Sequence, residues 1–376
     1  VAHQFNRKWR LSETYGCTGW DFSFAGHKAV SDWQAAMGIN LRSQHLSWYT
    51  MLGQAKRDFP ASIFYHSPWW ELYPKVEDYF ARIHAVMTRG REVRDLLVVH
   101  PLESMWAAYS RYHEDMPDEV FGDKLLMRLR DTLVSAHIDF DYGDEVIMKK
   151  HAGIMRRNGK AYFRVAGAAY RTVLVPQVLT IRSSTMRLLE KFRAAGGDIV
   201  WTGLVPEYVD AVRSDAARQL AARCRTVAAV KGPEVVAGVE PCRRVSITGP
   251  EGSELPTVLY LLKEDAGAYY IFIHNTGHRR ITEGNVDPTM VRERNVALPD
   301  VRLKMLSACS GTPMELDPDS GTVFRADGVK RAFGWEIRTG LEARGSRIFV
   351  CPKERKPVLY GSRPKFRDVK SVKLEG

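Results

Sequence analysis

The sequence predicts an α/β multidomain chain: an opening βαβ segment, a doubly wound α/β domain and a C-terminal β-sandwich. Three observations predict it. Up to about residue 232, apolar positions recur at helical spacing between short strand-like runs. Several of those runs are continuously apolar, the kind buried on both faces of a parallel sheet. From about residue 233, helical periods give way to short β-rich pieces between Gly, Pro, Asp and Asn clusters. At 376 residues and 45% hydrophobic content, the chain can give two or three domains a core each.

In residues 1–72, "RKWRLSE" reads as a strand ending at Glu13. "GHKAVSDWQAAMG" carries Val30, Trp33, Ala36 and Met37 at helical spacing and stops at Gly38, and "INLRSQHLS" resumes a strand. The stretch "YTMLGQAKRDFPASIFYHSPWWELYP" breaks the pattern with Pro60, Pro68 and clustered aromatics, so it reads as a long loop over a pocket.

Residues 73–232 read as the second unit. "KVEDYFARIHAVMTRG" is a helix ending at Gly90, and "DLLVVHP" is a buried strand. "DEVFGDKLLMRLRDTLVSAH" is an amphipathic helix and "YRTVLVP" another buried strand. "SSTMRLLEKFRAAGG" is a helix with a serine cap and a glycine stop, and "DIVWTG" is a strand. This alternation predicts a doubly wound sheet. Residues 233–376 supply "TVLYLLKE", "YYIFIHNTG", "GTVFRAD", "RIFVCP" and "KPVLYGS" as sandwich strands.

The formal net charge of +11 is spread over 55 basic residues with no run of five or more, and no nucleic-acid-binding module accompanies it, so no nucleic-acid partner is expected. Cys17, Cys224, Cys242, Cys309 and Cys351 are odd in number and far apart, which predicts free thiols rather than a disulfide framework or a CxxC metal site. No apolar stretch approaches the roughly 18 residues that span a bilayer, so no membrane partner is expected. No signal peptide is read, and the chain, opening on Val1, reads as starting inside a domain.

Glu13 has two readings. At the carboxyl end of a barrel strand beside aromatics, an acid can be desolvated, stay protonated near neutrality and serve as a general acid. It can equally be a charge at a strand end. His27, Lys28, Asp32, Gln44, His45, Trp48 and Tyr49 form the mixture of hydrogen-bonding and aromatic groups that binds sugars. His45, at the second strand end, is the histidine expected to contact substrate. Trp69 and Trp70, next to Glu71, could wall a sugar subsite or plug a gap between domains.

His100, Glu103 and Ser104 follow a buried strand, where open α/β sheets place ligands, but no GxSxG elbow or cysteine supplies a nucleophile, so a structural role is expected. "DFDYGDE", with Asp139, Asp141, Asp144 and Glu145, lacks the EF-hand spacing and reads as a solvated turn, and no metal ligands are assigned.

The strings "SETYGCTGWDFSFAGHKAVSDWQAAMGIN", "RSQHLSWYTMLGQAKRDFPASIFYHSPWW", "EDYFARIHAVMTRGREVRDLLVVHPLESMW", "HIDFDYGDE" and "LVPQVLTIRSSTMRLLEKFRAAGGDIVWTG" together resemble bacterial glycoside hydrolases of the α-L-rhamnosidase-like group. More distantly the chain is similar to β-galactosidases with an amidotransferase-like domain after a catalytic barrel. The resemblance covers residues 1 to about 230. It implies that residues 1–72 are the C-terminal part of a (β/α)8 barrel, that residues 73–232 are an amidotransferase-like domain without amidotransferase chemistry, and that the chain is a fragment of a longer enzyme.

The resemblance also implies a bacterial soluble glycosidase, cytoplasmic or secreted, acting on a carbohydrate such as a terminal α-L-rhamnoside. Glu13 would be the proton donor. Glu71 and Glu103 are the candidates for the second carboxylate, which must activate water or attack the anomeric carbon at a separation that sets inversion or retention. Such enzymes need no cofactor, although some relatives use calcium, and a homo-oligomer stays open. The competing function is a non-catalytic carbohydrate-binding or assembly protein using Trp48, Trp69 and Trp70. A third, an amidotransferase or other hydrolase centred on residues 95–145, would need Ser104 activated by a base that no spacing reveals.

Overall fold

The computed structural model describes residues 1–53, 61–108, 122–280, 292–293, 295–354 and 361. The strand expected in "KPVLYGS" and the middle of the aromatic loop lie outside the described residues, apart from Gly361. Among the described residues, no helix is long and apolar enough to cross a membrane.

The first unit is β1 (Leu11–Thr14), α1 (Phe24–Ala36), β2 (Leu41–Gln44), a 3-10 turn at Trp70–Leu72 and α2 (Pro74–Met87). β1 and β2 pair in parallel, with Leu11 opposite Leu41 and Glu13 opposite Ser43. Helix α1 is capped by the Ser23 hydroxyl, which accepts from the Gly26 N–H. Its buried face differs from the expected one. His27, Ala29, Ser31, Asp32, Ala35 and Ala36 point inward, whereas Trp33 and Met37 are exposed. The reason is a polar network of Asp32 with Lys28, Tyr79 and Ser346, which draws the Asp32 face to the core.

Helix α2, grouped on sequence with the second unit, buries Val76, Phe80, Ile83 and Met87 against Tyr15 and Ala35 of the first unit and against Leu261, Phe272 and Ile348 of the sandwich. Past its end at Met87 the chain turns at Gly90, whose φ of +57° suits glycine and where a β-carbon would collide with the Glu264 carbonyl. β3 (Arg91–Glu92) then joins the edge of a sandwich sheet beside Lys263 and Glu264.

The α/β domain runs β4 (Leu96–Val99), α3 (Leu102–Ala108), α4 (Asp123–Ser135), β5 (Phe140–Gly143), α5 (Glu145–His151), the antiparallel β6 (Ala152–Arg157), β7 (Lys160–Val165) and β8 (Ala168–Tyr170), and β9 (Thr172–Val175). It continues through β10 (Thr180–Ile181), α6 (Ser183–Ala194), β11 (Asp198–Thr202), the short β12 (Tyr208–Val209) and β13 (Val212–Arg213), α7 (Ala216–Ala221), β14 (Arg225–Val227) and α8 (Pro233–Val239). Its parallel sheet has the order β14-β11-β9-β4-β5, a doubly wound arrangement that reverses direction between β4 and β9.

Alternate residues of the continuously apolar strands enter two cores, which is why those strands read as unbroken runs. Leu97, Val99, Val173, Val175 and Trp201 meet Met186, Leu189 and Phe192 of α6 on one side. Leu96, Val98, Leu174 and Val200 meet Leu129, Leu133, Val235 and Val239 of α4 and α8 on the other.

Two expectations fail here. Ser183 does not cap α6, because Arg182 occupies the cap position and the exposed backbone N–H groups are met by Glu145 and Asp210. "DFDYGDE" is not a solvated turn. It contains β5, its Asp141 is buried against Arg94, His3 and Tyr170, and its Asp144 caps α5.

The sandwich packs a four-stranded sheet, β15 (Val245–Thr248), β20 (Leu298–Met305), β24 (Gly334–Leu341) and β23 (Asp327–Arg331), against a six-stranded one. The latter has the order β22 (Val323–Arg325), β21 (Met314–Leu316), β25 (Ser346–Pro352), β17 (Ala268–Asn275), β16 (Val258–Glu264) and β3. A two-stranded ladder, β18 (Arg279–Arg280) with β19 (Arg292–Glu293), stands apart. Inward-facing Ile247, Leu262, Ile271, Leu303, Ile337 and Phe349 form the core between the sheets.

Candidate functional site

The candidate site lies at the carboxyl ends of β1 and β2. Side chains alternate across this small sheet. Arg42 and Gln44 turn towards α2, where both donate to Glu77 at 2.8 Å, and the Arg42 guanidinium lies 4.0 Å over the Phe80 ring. Leu11, Glu13, Leu41 and Ser43 therefore share the opposite face, and all four are exposed. Leu11 is 60% exposed and Leu41 40%, a level unusual for paired apolar strand residues.

Glu13 thus sits where expected along its strand but not in the expected environment. Its side chain is exposed rather than enclosed, because no described residue covers that face. Cavities of about 740, 570 and 460 Å³ are lined by other residues, in the sandwich and where α1 meets it.

The aromatic companions divide into two groups. Trp48 is buried, its backbone N–H donates to the Ser62 hydroxyl, and its ring meets Trp20 edge-on at 5.3 Å and His66 at 6.5 Å. Trp20 remains 46% exposed, so this pair presents an indole surface beside the strand ends. Sequence reasoning missed Trp20 and His66, although Trp20 lies in the same short stretch as Glu13. Tyr49 is 85% exposed. The His45 backbone N–H continues the ladder by donating to the Thr14 carbonyl at 2.8 Å.

Trp69 and Trp70 belong to a different cluster. Trp69 packs on Phe24, His27 and Tyr73, while Trp70 stacks on Tyr73 and meets Phe64 edge-on. Both border the core between the helices and the sandwich. Burial lowers the pKa of His27 and raises those of Tyr15 and Tyr73, which keeps this cluster uncharged.

The two further acids are not gathered around Glu13. Glu71 is exposed on the 3-10 turn. Glu103, at the start of α3, pairs with Arg182 and lies beside Glu145. Glu145 is buried and accepts from the Arg182 backbone N–H at 2.9 Å. Burial and the neighbouring Glu103 charge push it up to about 7.

A proton held more tightly by the folded protein makes stability fall as pH rises from the ordinary glutamate range through about 7. Glu145→Gln mimics the protonated carboxyl and removes this loss, which is on the order of 3 kcal/mol. Denaturant midpoints at pH 5 and pH 8 should therefore diverge for the parent and much less for the variant. Equal pH slopes would refute this account.

Ser104 is structural. It is buried, accepts from the Leu179 and Thr180 N–H groups and donates to the Thr180 carbonyl, tying α3 to the start of β10. Among the described residues, no group of three or more His, Cys, Asp or Glu is placed to hold a metal ion.

No protein-family model matches the sequence, and no curated protein matches it. Among solved structures, a rhamnosidase from Novosphingobium sp. PP1Y superposes with a TM-score of 0.66 at 14% identity, covering 97% of this chain and 33% of that one. A β-galactosidase from Bacillus circulans sp. alkalophilus gives 0.55 at 10% identity over 90% of this chain and 55% of that one. α-L-Fucosidase isoenzyme 2 from Paenibacillus thiaminolyticus gives 0.53 at 10% identity over 87% and 57%. The chain therefore spans a third to somewhat over half of these proteins' lengths. At such identities the likeness is one of fold: a mixed α/β and β-sandwich architecture shared with parts of several glycoside hydrolases.

Proposed function

We propose that this chain is part of a glycoside hydrolase, with β1 and β2 as strands of a (β/α)8 barrel and Glu13 as the proton donor to the leaving oxygen. The observation that carries this reading is the placement of Glu13. It stands at the carboxyl end of a parallel strand, on the face turned away from the helices and close in sequence to Trp20, whose ring meets that of Trp48. In a barrel that face lines the mouth, where catalytic groups gather. The bare Leu11 and Leu41 on the same face are suited to packing against further strands. The fold likeness to glycosidases supports the class of reaction, and α-L-rhamnosides are the first substrates to try.

The test uses the full polypeptide that completes the barrel. Glu13→Gln should lower turnover of sugars with poor leaving groups at least about 100-fold, the usual scale for a general acid. Activated aryl glycosides should suffer less, and sugar binding should persist. Unchanged turnover would remove Glu13 from the mechanism.

A second reading, a non-catalytic carbohydrate-binding protein, is favoured by the exposed position of Glu71 and the engagement of Glu103 by Arg182. Calorimetric sugar titration beside an aryl-glycoside release assay distinguishes them, since binding without release supports the second.

A further inference from the structure

We propose that the sandwich carries a non-catalytic groove for a neutral oligosaccharide, extending from β24 to α1. Two cavities, of about 740 and 570 Å³, form it. The first is walled by β22, β23 and β24, the second by α1 and the turn that carries Asp319, and they share Arg347 and Glu342, an ion pair at 2.7 Å. Each cavity has the volume of a single small-molecule site, so a ligand that fills both is longer than one sugar.

The lining selects the ligand's chemistry. Basic and acidic side chains border the two cavities in equal number. A polyanion such as a nucleic acid would therefore lose to the carboxylates what it gained from the cations, and a polycation the reverse. Arginine and lysine only donate hydrogen bonds and carboxylates only accept them, so a group seated between the two must do both. A sugar hydroxyl does, whereas a peptide N–H only donates and its C=O only accepts. Among the described residues, none of the large hydrophobics that are exposed lines either cavity, which leaves a peptide without side-chain anchors.

Much of the groove is fixed before a ligand arrives. Arg347 is held between Glu342 and Glu315, the latter at 3.4 Å. The turn with Asp319 is tied to α2 by Arg82, which donates to the Pro318 and Asp319 carbonyls at 2.8 Å, and the Asp317 carboxylate accepts from the Asp319 N–H at 3.0 Å. Such pre-organisation lowers the ordering cost of binding. The heads left for a ligand are at the rim. Asp319, Arg325 and Arg338 are exposed, and among the described residues their side chains hold no hydrogen bond or ion pair.

The test is calorimetric titration of the full chain with neutral tetrasaccharides of glucose, mannose, galactose, xylose and rhamnose, each beside its monosaccharide, and with tetragalacturonate. At least one neutral tetrasaccharide should bind with a Kd about 10-fold or more below that of its monosaccharide, and Asp319→Asn and Arg338→Gln should each weaken it about 10-fold, the scale of one hydrogen bond to a charged group. Both side chains are exposed, so each variant should melt as the parent does. No binding by any neutral tetrasaccharide, tighter binding of tetragalacturonate than of all of them, or affinity unchanged in both variants would each overturn the proposal. Glu13 lines neither cavity, so that failure would leave the glycosidase reading standing.

Discussion

Replacing Arg94 with methionine is expected to lower the unfolding free energy by about 3 to 5 kcal/mol at neutral pH, as when one partner is removed from a buried ion pair. Arg94 precedes β4 and meets three carboxylates, Asp139 at 2.8 Å, Asp141 at 2.9 Å and Glu92 at 3.4 Å. Burial works against its charge, yet the three acids together raise its pKa well above the ordinary arginine value. The acids are not equally provided for. Glu92 also has Arg10, and Asp141 also has His3 and the Tyr170 hydroxyl. Asp139 depends on Arg94 for its ion pair, and burial already pushes its pKa up with that cation present.

Methionine fills much of the same volume, so the loss would report charge rather than a cavity. The pH dependence separates the two. In the parent, burial disfavours the charged Asp141, but the His3 hydrogen bond and the Arg94 charge outweigh it and hold its pKa down. Such a depressed pKa supplies stability above the unfolded value of about 3.9, lost as pH falls through the lower folded value. The variant has less to lose, so the stability gap should narrow on acidification. Urea denaturation at pH 7 and pH 3.5 would measure this. A gap below about 1 kcal/mol at pH 7, or one that does not change with pH, would show that the cluster does not stabilise as described.

What the sequence made legible follows from locality. "DLLVV", "YRTVLV" and "DIVWT" are apolar on both faces because helices cover both sides of the sheet, so β4, β9 and β11 can be read without knowing the topology. The strand end at Glu13 is legible for the same reason: it depends on a few neighbouring residues.

The buried face of α1 was not legible, because the hydrophobic pattern favoured Trp33 and Met37 and the deciding partners of Asp32 lie about 50 and 300 residues away. The acids of "DFDYGDE" misled similarly. Their density suggested a wet turn, but Arg94 and His3 from separate segments draw Asp141 inside. The site was legible only as a strand-end acid with aromatics, since carboxylate pairing is a property of distance in space. Trp20 carries no periodic signal, and its pairing with Trp48 forms only when the ends of β1 and β2 come together.

Replacing Asp32 with alanine should also cost about 3 to 5 kcal/mol, and it should loosen the helix pair from the sandwich before the α/β domain is affected. Asp32 is fully buried on α1 and gathers groups from four elements. One of its carboxylate oxygens accepts from Lys28 at 2.5 Å, from the Ser346 hydroxyl at 2.7 Å and from the Tyr79 hydroxyl at 3.0 Å, while His274 stands 3.8 Å away. The residues therefore tie α1 and α2 to β17 and β25. Alanine leaves the Lys28 ammonium without its carboxylate and removes the Asp32 oxygens from the Tyr79 hydroxyl, which keeps its bond with the Ser346 hydroxyl.

Tyr79→Phe removes one of these bonds without exposing a charge and should cost only about 1 kcal/mol. Hydrogen exchange resolves the two roles. Amides of α1 and α2 should lose protection in the Asp32 variant while those of β4, β9 and β11 keep theirs, because the parallel sheet has separate cores. Uniform loss across both regions would mean that the network stabilises the chain as one unit, and no loss would mean that it does not hold the helices on the sandwich. Only selective loss fits a polar clamp that fixes α1 and α2 onto the sandwich.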